Sequence, residues 1–522
     1  MNALLVDYPN REDAAFLSDG FSIGFKLQFE GPRIPIECKN LKSVVDNPEI
    51  AEEKIKQEVN LGRIAGPFST RPISNMRCSP IGLVEKKSGG YRLITHLSHP
   101  PGLSVNEHID DSFASVKYSN FDNAVSIIRS LGKGCLIATM DVKSAFRLLP
   151  CYPGDFDLLG FKLGDAYFID KMAPMGLRIS CRAWEAFATF LNWLVADKYS
   201  KNVDHYLDDF FFAGPHRSNE CASLMSHFHG ICKDLGVPIA SEKTQGPTTC
   251  LTYLGYELDT IEMQLRIPDK KVKQILERVT EALQRRKLTL KELQSLTGSL
   301  SFCAKAMPSA RAFIRRMYAA MSKAKQPYHR VRLTMGIKED LVMWQTFLTH
   351  FNGLSYMLEL QWTSSATLGL QTDSAGGAAL GCGAYFQGDW VFFKWPFAWE
   401  KTGILLDITF LEMIPIALAV CLWKDRFVTK RILFESDNMA VVHILNSKSA
   451  RSERVMSLVR QIVLWSLQYD FIINSAHVKG SDNQLSDAIS RMQWAKFRAL
   501  APEAKPCSAE IPREFWRLLP EK

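Results

Sequence analysis

The chain has 522 residues, of which 47% are hydrophobic and 23% charged, with a formal net charge of +8 and a pI near 8.8. This length exceeds one ordinary core, so we expect about three or four domains with the composition of a soluble globular protein. No low-complexity tail or short-period repeat is apparent. The mild positive charge suits a protein that holds polyanions, but many other proteins carry such a charge.

Cysteine spacing and apolar runs bear on the compartment. Twelve cysteines are scattered singly, without a Cys-x-x-Cys pair or a Cys/His zinc spacing, which predicts reduced thiols of an intracellular protein. Cytoplasm and nucleus are not distinguished. The N-terminus lacks the basic region and apolar run of a signal peptide. The longest apolar run, 413–423, predicts a core helix and no membrane partner.

The first 75 residues mix short apolar segments with Gly and Pro around a predicted helix over 47–62. We expect an N-terminal extension that packs on the next domain. From residue 76 the pattern sharpens, and 78–95 predicts a strand, a Ser-Gly-Gly turn and a second strand. Lys86 and Lys87 lie on one arm of this hairpin and Arg92 on the other. Such a hairpin can clamp a triphosphate, or it can be an ordinary solvated face.

Three aspartates follow in a pattern that suggests a shared site. A predicted strand ends at Asp141, and the run 205–212 places Asp208 and Asp209 between apolar β-formers. Neighbouring side chains of a strand point to opposite faces, so adjacent aspartates serve one site best at a tight hairpin turn. An isolated Asp-Asp pair is most often a solvated turn, but a third carboxylate makes a cluster that demands cations. Two Mg²⁺ ions, or Mn²⁺, held there would support nucleotide polymerisation.

The intervening segments complete an ordered set. A loop over 173–181 precedes an amphipathic helix around 184–195, and a further helix is predicted over 218–235 with Ser218 as its N-cap. Lys243 lies in a polar loop, and a short hairpin follows at 251–258. The order of basic hairpin, first Asp, Pro-x-Gly loop, Tyr-x-Asp-Asp, Lys loop and Leu-Gly hairpin resembles the fingers and palm of reverse transcriptases.

This resemblance implies roles for individual residues over 76–265. Asp141 and Asp208 would bind the catalytic metals, with Asp209 supporting them and Val142 among the metal-binding positions. Phe146 falls where the family keeps an aromatic ring that blocks a 2′-hydroxyl; the alternative is a core Phe. The remaining substrate-binding positions implied by the family are Lys86, Arg92, Met175, Gly176 and Lys243. Met175, His96 and Ser98 depart from the retroviral pattern, which alters fine template contacts and not the metal chemistry.

Residues 266–355 read as helical and basic, with a capping-box start at Thr289 and Glu292. By position this segment would be the thumb and connection, which grip duplex phosphates without reading sequence. A solvated basic helix face is the alternative for any single Arg.

The pattern then changes to short strands followed by alternating helices and strands, which predicts an α/β fold with a mixed sheet. Four carboxylates lie at element ends, namely Asp373, Glu412, Asp437 and Asp487, and His477 precedes the last by ten residues. Together they resemble ribonuclease H over 366–492. That resemblance implies that the four acids hold two Mg²⁺ ions for hydrolysis of RNA in an RNA–DNA hybrid, and that His477 helps product leave. The tail, 493–522, receives no role.

The predicted fold is therefore α+β and multidomain, with a right-hand polymerase of fingers, palm and thumb followed by an α/β ribonuclease H-like domain. This order is that of retroelement reverse transcriptases. Segments 19–25, 62–68, 96–102 and 408–416 look like DIRS-like elements, the tyrosine-recombinase retrotransposons. A gypsy-like long-terminal-repeat element is the alternative. A recombinase does not fit in the residues left, so we expect any such partner to be encoded elsewhere.

The expected function is RNA-directed DNA polymerisation with fused ribonuclease H activity. The expected partners are an RNA template, a DNA primer, the RNA–DNA hybrid and dNTPs. A domesticated, inactive nucleic-acid-binding scaffold is one alternative, and seven intact acidic positions argue against it. An RNA-dependent RNA polymerase is the other, and Phe146 together with the fused nuclease argues against that.

Overall fold

The computed structural model describes residues 1–86, 89–351, 355–356, 361–479 and 483–519, with the backbone alone at 355–356. The chain divides into two compact units, Met1–Leu254 and Gly255–Lys522. Among the described residues, every helix is too short or too polar to cross a membrane.

The first unit combines helices with three sheets. Its helices are α1 (Asn2–Leu5), α2 (Arg11–Ile23), α3 (Lys42–Val45), α4 (Pro48–Asn60), α5 (Asp111–Ala114), α6 (Phe121–Leu131), α7 (Ser180–Lys198) and α8 (Glu220–Asp234). Its strands are β1 (Ile36–Glu37), β2 (Ile64–Phe68), β3 (Arg77–Cys78), β4 (Ile81–Glu85), β5 (Tyr91–Thr95), β6 (Leu136–Asp141), β7 (Gly160–Leu163), β8 (Ala166–Asp170), β9 (Val203–Tyr206), β10 (Asp209–Gly214), β11 (Gln245–Thr248) and β12 (Cys250–Tyr253).

The central sheet of this unit has the order β11-β6-β10-β9, and all of its neighbouring strands are antiparallel. Strand β10 is its best-buried member, because Phe210, Phe211 and Phe212 are all fully buried. Helices α7 and α8 pack against the sheet. A continuous apolar run is what a strand covered on both faces requires. This sheet carries the three predicted polymerase acids.

A second sheet, ordered β1-β3-β7-β8-β2, and the separate hairpin of β4 and β5 form the region predicted as fingers. The N-terminal segment packs into the same core as the palm helices, since Leu17 and Phe25 belong to one hydrophobic cluster with Phe187 and Leu191. Burying these side chains stabilises the unit by about 2 kcal/mol for each large residue. The first residues are thus part of the unit's core.

The N-cap predicted at Ser218 is wrong. Helix α8 begins at Glu220, and its N-cap is Asn219. The Ser218 hydroxyl donates to the Pro215 carbonyl at 3.0 Å and accepts from the Glu220 amide at 3.4 Å, so it connects the preceding turn with the start of the helix from one residue before the cap.

The second unit begins with a helical part and ends with a smaller α/β part. Its helices are α9 (Asp269–Gln284), α10 (Leu290–Ala306), α11 (Arg315–Met321), α12 (Met335–Phe351), α13 (Ser365–Leu368), α14 (Ala398–Lys401), α15 (Ile408–Trp423), α16 (Met439–Ser447), α17 (Glu453–Gln468), α18 (Gln484–Ser490), α19 (Trp494–Leu500) and α20 (Arg513–Trp516). Its strands are β13 (Tyr256–Asp259), β14 (Gln264–Arg266), β15 (Lys287–Thr289), β16 (Arg330–Arg332), β17 (Ser355–Tyr356), β18 (Thr363–Ser364), β19 (Leu370–Ser374), β20 (Gly381–Phe386), β21 (Asp389–Lys394), β22 (Arg431–Ser436) and β23 (Ile472–His477).

The helical part starts α10 with the predicted capping box. The Thr289 hydroxyl accepts from the Glu292 amide, and the Glu292 carboxylate accepts from the Thr289 amide at 2.7 Å. Two of the basic side chains in this part have internal partners, since Arg285 pairs with Glu292 and Arg316 pairs with Asp340. Their guanidinium groups are therefore engaged in ion pairs within the unit.

The α/β part contains two three-stranded sheets, and the prediction of one mixed sheet is wrong. Strands β19, β20 and β21 are antiparallel, whereas β18, β22 and β23 are parallel. Strand β18 and α13 occupy the edge of β22, where Glu435 accepts hydrogen bonds from the Ser365 hydroxyl and the Ala366 amide. Helix α15 is buried almost all round, as the apolar run predicted, and it packs against β19 and β20.

The C-terminal segment is part of this unit. Residues 505–509 cover the edge of β21, because the Trp390 indole donates to the Lys505 carbonyl and the Ala509 amide donates to the Trp390 carbonyl, both at 2.8 Å. Phe515 is fully buried beside Phe393. An uncovered edge strand is a template for aggregation. The tail thus protects the sheet, a role that the sequence had not indicated.

Candidate active sites

The first candidate site lies where β6 ends beside the hairpin of β9 and β10. Asp141 is the last residue of β6, and Asp209 is its register partner on β10. Tyr206 pairs with Asp209 across the hairpin, so Leu207 and Asp208 form its two-residue turn. Leu207 has φ +54°, as such turns require, and the Asp208 carbonyl accepts from the Val142 amide at 2.9 Å. The fold therefore gathers the three aspartates predicted from the sequence.

Burial and the neighbouring carboxylates raise the pKa values of Asp208 and Asp209. Burial, then repulsion from Asp208 and Asp141, raises the pKa of Asp209 to about 7. Burial also raises the pKa of Asp208, with Asp141 adding to the effect and Lys243 and Arg92 opposing it. Negative charge accumulates here at a cost, which a bound cation would offset.

Lys243 forms an ion pair with one aspartate of this site. Its ammonium group lies 2.9 Å from both carboxylate oxygens of Asp141. The loop that carries it follows Ala240, whose amide donates to the Asp141 carbonyl at 2.8 Å. The sequence placed Lys243 among the substrate contacts and did not anticipate its contact with a metal-binding aspartate.

A buried polar pair lies beneath the hairpin. His205 of β9 and Glu185 of α7 are both buried, and their side chains lie 3.3 Å apart. The His205 ring also stacks on Phe210. These contacts connect the strand that leads into the turn with helix α7, and they give the turn a rigid support.

The predicted triphosphate contacts lie on the β4–β5 hairpin. Lys86 and Arg92 are both exposed, and Arg92 pairs in register with Val84. The positive charge of Arg92 acts on the pKa of Asp208, which places this arm of the hairpin on the side of the aspartates. Lys87 lies outside the described residues. A triphosphate role for Lys86 and Arg92 stays a prediction.

Phe146 lies on a short 3-10 turn, Ala145–Leu148, that follows β6. Its ring is half-buried against the core of the unit. Val142, by contrast, is fully buried at the end of β6. Both the core role and the sugar-blocking role proposed for Phe146 are compatible with partial exposure at this place.

The Pro-x-Gly loop is fastened to strand β5. The Met175 carbonyl accepts from the Thr95 amide at 3.1 Å, and the Gly176 carbonyl accepts from the Asn106 side chain at 2.8 Å. Gly176 has φ +114°, and a β-carbon there would collide with the Thr95 carbonyl oxygen. Only glycine fits this close approach. The loop is thus held rigidly below the hairpin that carries Arg92.

The second candidate site lies in the α/β part of the second unit. The carboxylates of Asp373 on β19, Glu412 on α15 and Asp437 after β22 have oxygens within 4.8 Å of one another. Among the described residues these three form a group with metal-ligand spacing, and the three aspartates of the first site are not gathered so closely. Burial, then repulsion by Asp373, raises the pKa of Glu412 to about 8. Burial raises the pKa of Asp373 to about 6, although the Ser490 hydroxyl donates to it at 2.6 Å.

Asp487 and His477 border this cluster. The carboxylate of Asp487 on α18 pairs with Arg491 at 2.5 Å, and the Lys496 ammonium of α19 lies 3.8 Å from the same carboxylate. His477 is exposed at the end of β23, where its register partner is Ser436, the residue before Asp437. Residues 480–482 of the segment between them lie outside the described part of the chain. The i, i+4 spacing of Asp487 and Arg491 could have indicated their pairing from the sequence.

Both clusters suit a hard divalent cation. Their donors are carboxylate oxygens, which Mg²⁺ and Mn²⁺ prefer, and they include no thiol or imidazole that would favour a softer metal. Burial and the neighbouring carboxylates raise the pKa values of Asp209 and Glu412, so a bound cation would stabilise the ionised form of each cluster.

A protein-family model matches the part of the chain that carries the first site. Residues 84–258 match the protein-family model described as "Reverse transcriptase (RNA-dependent DNA polymerase)". The matched segment, about a third of the chain, contains Asp141, Asp208 and Asp209. A reverse transcriptase domain therefore forms this part of the protein.

Two viral proteins are similar to this chain over part of its length. Protein P of duck hepatitis B virus (strain China) is 26% identical over 204 residues, which are 38% of this chain and 25% of the relative. The Pro-Pol polyprotein of feline foamy virus is 23% identical over 235 residues, which are 45% of this chain and 19% of the relative. The chain thus spans about a quarter or less of the length of these curated relatives. These similarities support a retroelement-type reverse transcriptase and do not separate DIRS-like from gypsy-like elements.

A solved structure shares the fold over most of the chain. The foamy viral protease-reverse transcriptase dRH in complex with double-stranded DNA aligns with a TM-score of 0.50 and 16% identity. The alignment covers 91% of this chain and 81% of that chain. This likeness confirms the predicted fold class, α+β and multidomain.

Proposed function

We propose that the chain is an RNA-directed DNA polymerase with a fused ribonuclease H, both using two Mg²⁺ ions. The observation that carries the proposal is the pairing of Asp141 with Asp209 across β6 and β10, with Asp208 at the adjoining turn. An RNA template, a DNA primer, their hybrid and dNTPs are the partners that this chemistry requires.

In the first site, bound Mg²⁺ would activate a primer 3′-hydroxyl and stabilise the leaving pyrophosphate. Asp141 and Asp208 would hold the metal through carboxylate oxygens, while the Val142 amide fixes the turn through the Asp208 carbonyl. Lys86 and Arg92 would bind the triphosphate, and the Met175–Gly176 loop would support the template base. Phe146 would exclude a ribose 2′-hydroxyl by steric contact.

In the second site, Asp373, Glu412 and Asp437 supply three close carboxylates, and Asp487 lies on the neighbouring helix α18. We propose that they hold the metal for hydrolysis of the RNA strand of a hybrid, and that the exposed His477 assists product release. The spacing of the three acids supports this assignment, and so does the order of the two units along the chain.

Primer extension on poly(rA)–oligo(dT) with dTTP and Mg²⁺ tests the polymerase assignment. We expect extension by the wild-type chain and a loss of more than about 100-fold in Asp208→Asn, which removes a metal-binding charge without adding bulk. Asp234→Asn, an exposed change at the end of α8, is the matched control. Extension by Asp208→Asn at the control rate would reject the assignment.

We also propose the finer identity of a DIRS-like retrotransposon polymerase acting inside the cell. The segments 19–25, 62–68, 96–102 and 408–416 support it. A tyrosine recombinase encoded beside this chain in its genome would favour that proposal. An integrase with a zinc-binding segment in the same position would favour the gypsy-like alternative.

A further inference from the structure

A buried ion-pair network includes the residue that follows Phe146 in the same turn. The next residue, Arg147, donates through Nε to Glu58 Oε2 at 2.8 Å and through Nη1 to Asp170 Oδ1 at 2.7 Å. Its Nη1 also donates to the Met172 carbonyl at 3.1 Å. The Arg147 and Asp170 side chains are about nine-tenths buried, with exposed fractions of 10% and 6%.

The network joins three separate elements. Glu58 lies in the last turn of α4, Asp170 ends β8, and Arg147 belongs to the 3-10 turn Ala145–Leu148. Their separation along the chain is large, since Glu58 and Arg147 are 89 residues apart. Both ends of the Arg147 fork are therefore fixed by elements outside the turn.

The turn is held locally by two backbone hydrogen bonds, from the Arg147 amide to the Ser144 carbonyl at 2.8 Å and from the Leu149 amide to the Phe146 carbonyl at 3.1 Å. It begins after Ser144, which has φ +58° and makes no capping hydrogen bond from its side chain. A three-residue 3-10 repeat has poor hydrogen-bond geometry and is seldom stable alone. Arg147 adds a planar fork that ties the turn to α4 and β8, which few other side chains could supply.

A role in stability alone does not explain the network. Burying an ion pair costs desolvation, and apolar side chains of similar volume often replace such pairs without loss of stability. Directional contacts instead hold the neighbouring residue in one place, which matters most where a reacting geometry depends on less than 1 Å. The neighbouring residue here is Phe146.

We propose that Glu58, Arg147 and Asp170 position the Phe146 ring and thereby set the discrimination between deoxyribonucleotides and ribonucleotides. The inference rests on the proposed polymerase function. Through Glu58, helix α4 of the N-terminal segment would contribute to the choice between the two kinds of nucleotide. These residues are positioning residues, because their side chains act through Phe146 and not on the substrate.

The test compares kcat/KM for dGTP and for GTP in Glu58→Gln and Arg147→Lys. Glu58 is partly exposed, so its amide variant is suited to folding, and Lys keeps the charge of Arg147 while losing the fork. We expect the dGTP-to-GTP ratio to fall about 10-fold in each, mainly through faster use of GTP. A merely structural role would lower both rates together and leave the ratio unchanged.

Asp13→Asn is the matched control. Asp13 lies on the N-terminal helix α2 and pairs with Arg182 of α7 at 2.5 Å, so its change also removes an ion pair between an N-terminal helix and the rest of the unit. We expect a similar fall in melting temperature and an unchanged ratio. A ratio that falls equally in Asp13→Asn would overturn the proposal.

Phe146→Ala separates the possible failures. A large loss of discrimination in Phe146→Ala with wild-type ratios in Glu58→Gln and Arg147→Lys would reject the positioning role alone. An unchanged ratio in Phe146→Ala would reject it together with the sugar-blocking role. No synthesis by the wild-type chain on any template would reject the polymerase function and, with it, this inference.

Discussion

The ammonium group of Lys243 lies 2.9 Å from each carboxylate oxygen of Asp141. It therefore competes with a metal ion for the same two oxygens. In Lys243→Gln we expect Mg²⁺ to bind the first site about fivefold more tightly, because a partly exposed charge at this distance is worth about 1 kcal/mol. Calorimetric titration in an Asp437→Asn background, which weakens the second site, measures the change.

Lys133→Gln is the control for this titration. Lys133 is exposed just before β6, at the opposite end of the strand from Asp141, so its loss alters net charge equally without touching the carboxylates. Equal Mg²⁺ affinity in Lys243→Gln and in the wild-type chain would contradict the competition.

Gly176 tests the rigid attachment of the loop to β5. Gly176→Ala combines a positive φ with a collision against the Thr95 carbonyl, so we expect a loss of more than about 2 kcal/mol in the free energy of unfolding. Gly164→Ala, at φ +60° with open space around its Cα, should lose only about 1 kcal/mol. Urea unfolding measures both, and equal losses would show that the contact with Thr95 is unimportant.

We expect the stability of the metal-free protein to depend on pH through Glu412. Its pKa of about 8 lies above the ordinary value near 4, so the folded chain retains a proton that the unfolded chain releases. The resulting stabilisation is complete below about pH 4 and is lost as the pH rises through about 8. In EDTA, Glu412→Gln should therefore melt at a higher temperature than the wild-type chain at pH 8.5, and near the same temperature at pH 5.

Calorimetry over this pH range checks the expectation. Glu453→Gln, an exposed change at the start of α17, should show no such pH-dependent difference. Addition of Mg²⁺ should close the gap at pH 8.5, because a cation stabilises the ionised cluster. A difference in melting temperature between Glu412→Gln and the wild-type chain that stays constant from pH 5 to pH 8.5 would contradict the assignment of the pH dependence to Glu412.

Local sequence patterns were sufficient to predict the elements that carry the three aspartates of the first site. The apolar run before Asp141 and the β-formers around Asp208 and Asp209 specify a strand and a hairpin, and the fold pairs them as expected. The capping box at Thr289 and Glu292 was equally readable, since all of its contacts lie within four residues. In each case the signal and the contact are close together along the chain.

Contacts between distant residues could not be read in this way. Nothing in the sequence near Arg147 indicates that Glu58, 89 residues earlier, is its partner. The same holds for Lys243 on Asp141, 102 residues apart, and for the tail segment that covers β21. Ser218 shows a different limit, because its hydroxyl bonds both the Pro215 carbonyl and the Glu220 amide while the N-cap lies one residue later, at Asn219.

The most direct test of two independent active sites measures both activities on one end-labelled RNA–DNA hybrid. Asp437→Asn should stop cleavage of the RNA strand while primer extension continues within about twofold of wild type, and Asp208→Asn should do the reverse, because each set of acids lies in its own unit. Loss of primer extension in Asp437→Asn, with a circular dichroism spectrum like that of the wild-type chain, would contradict this account.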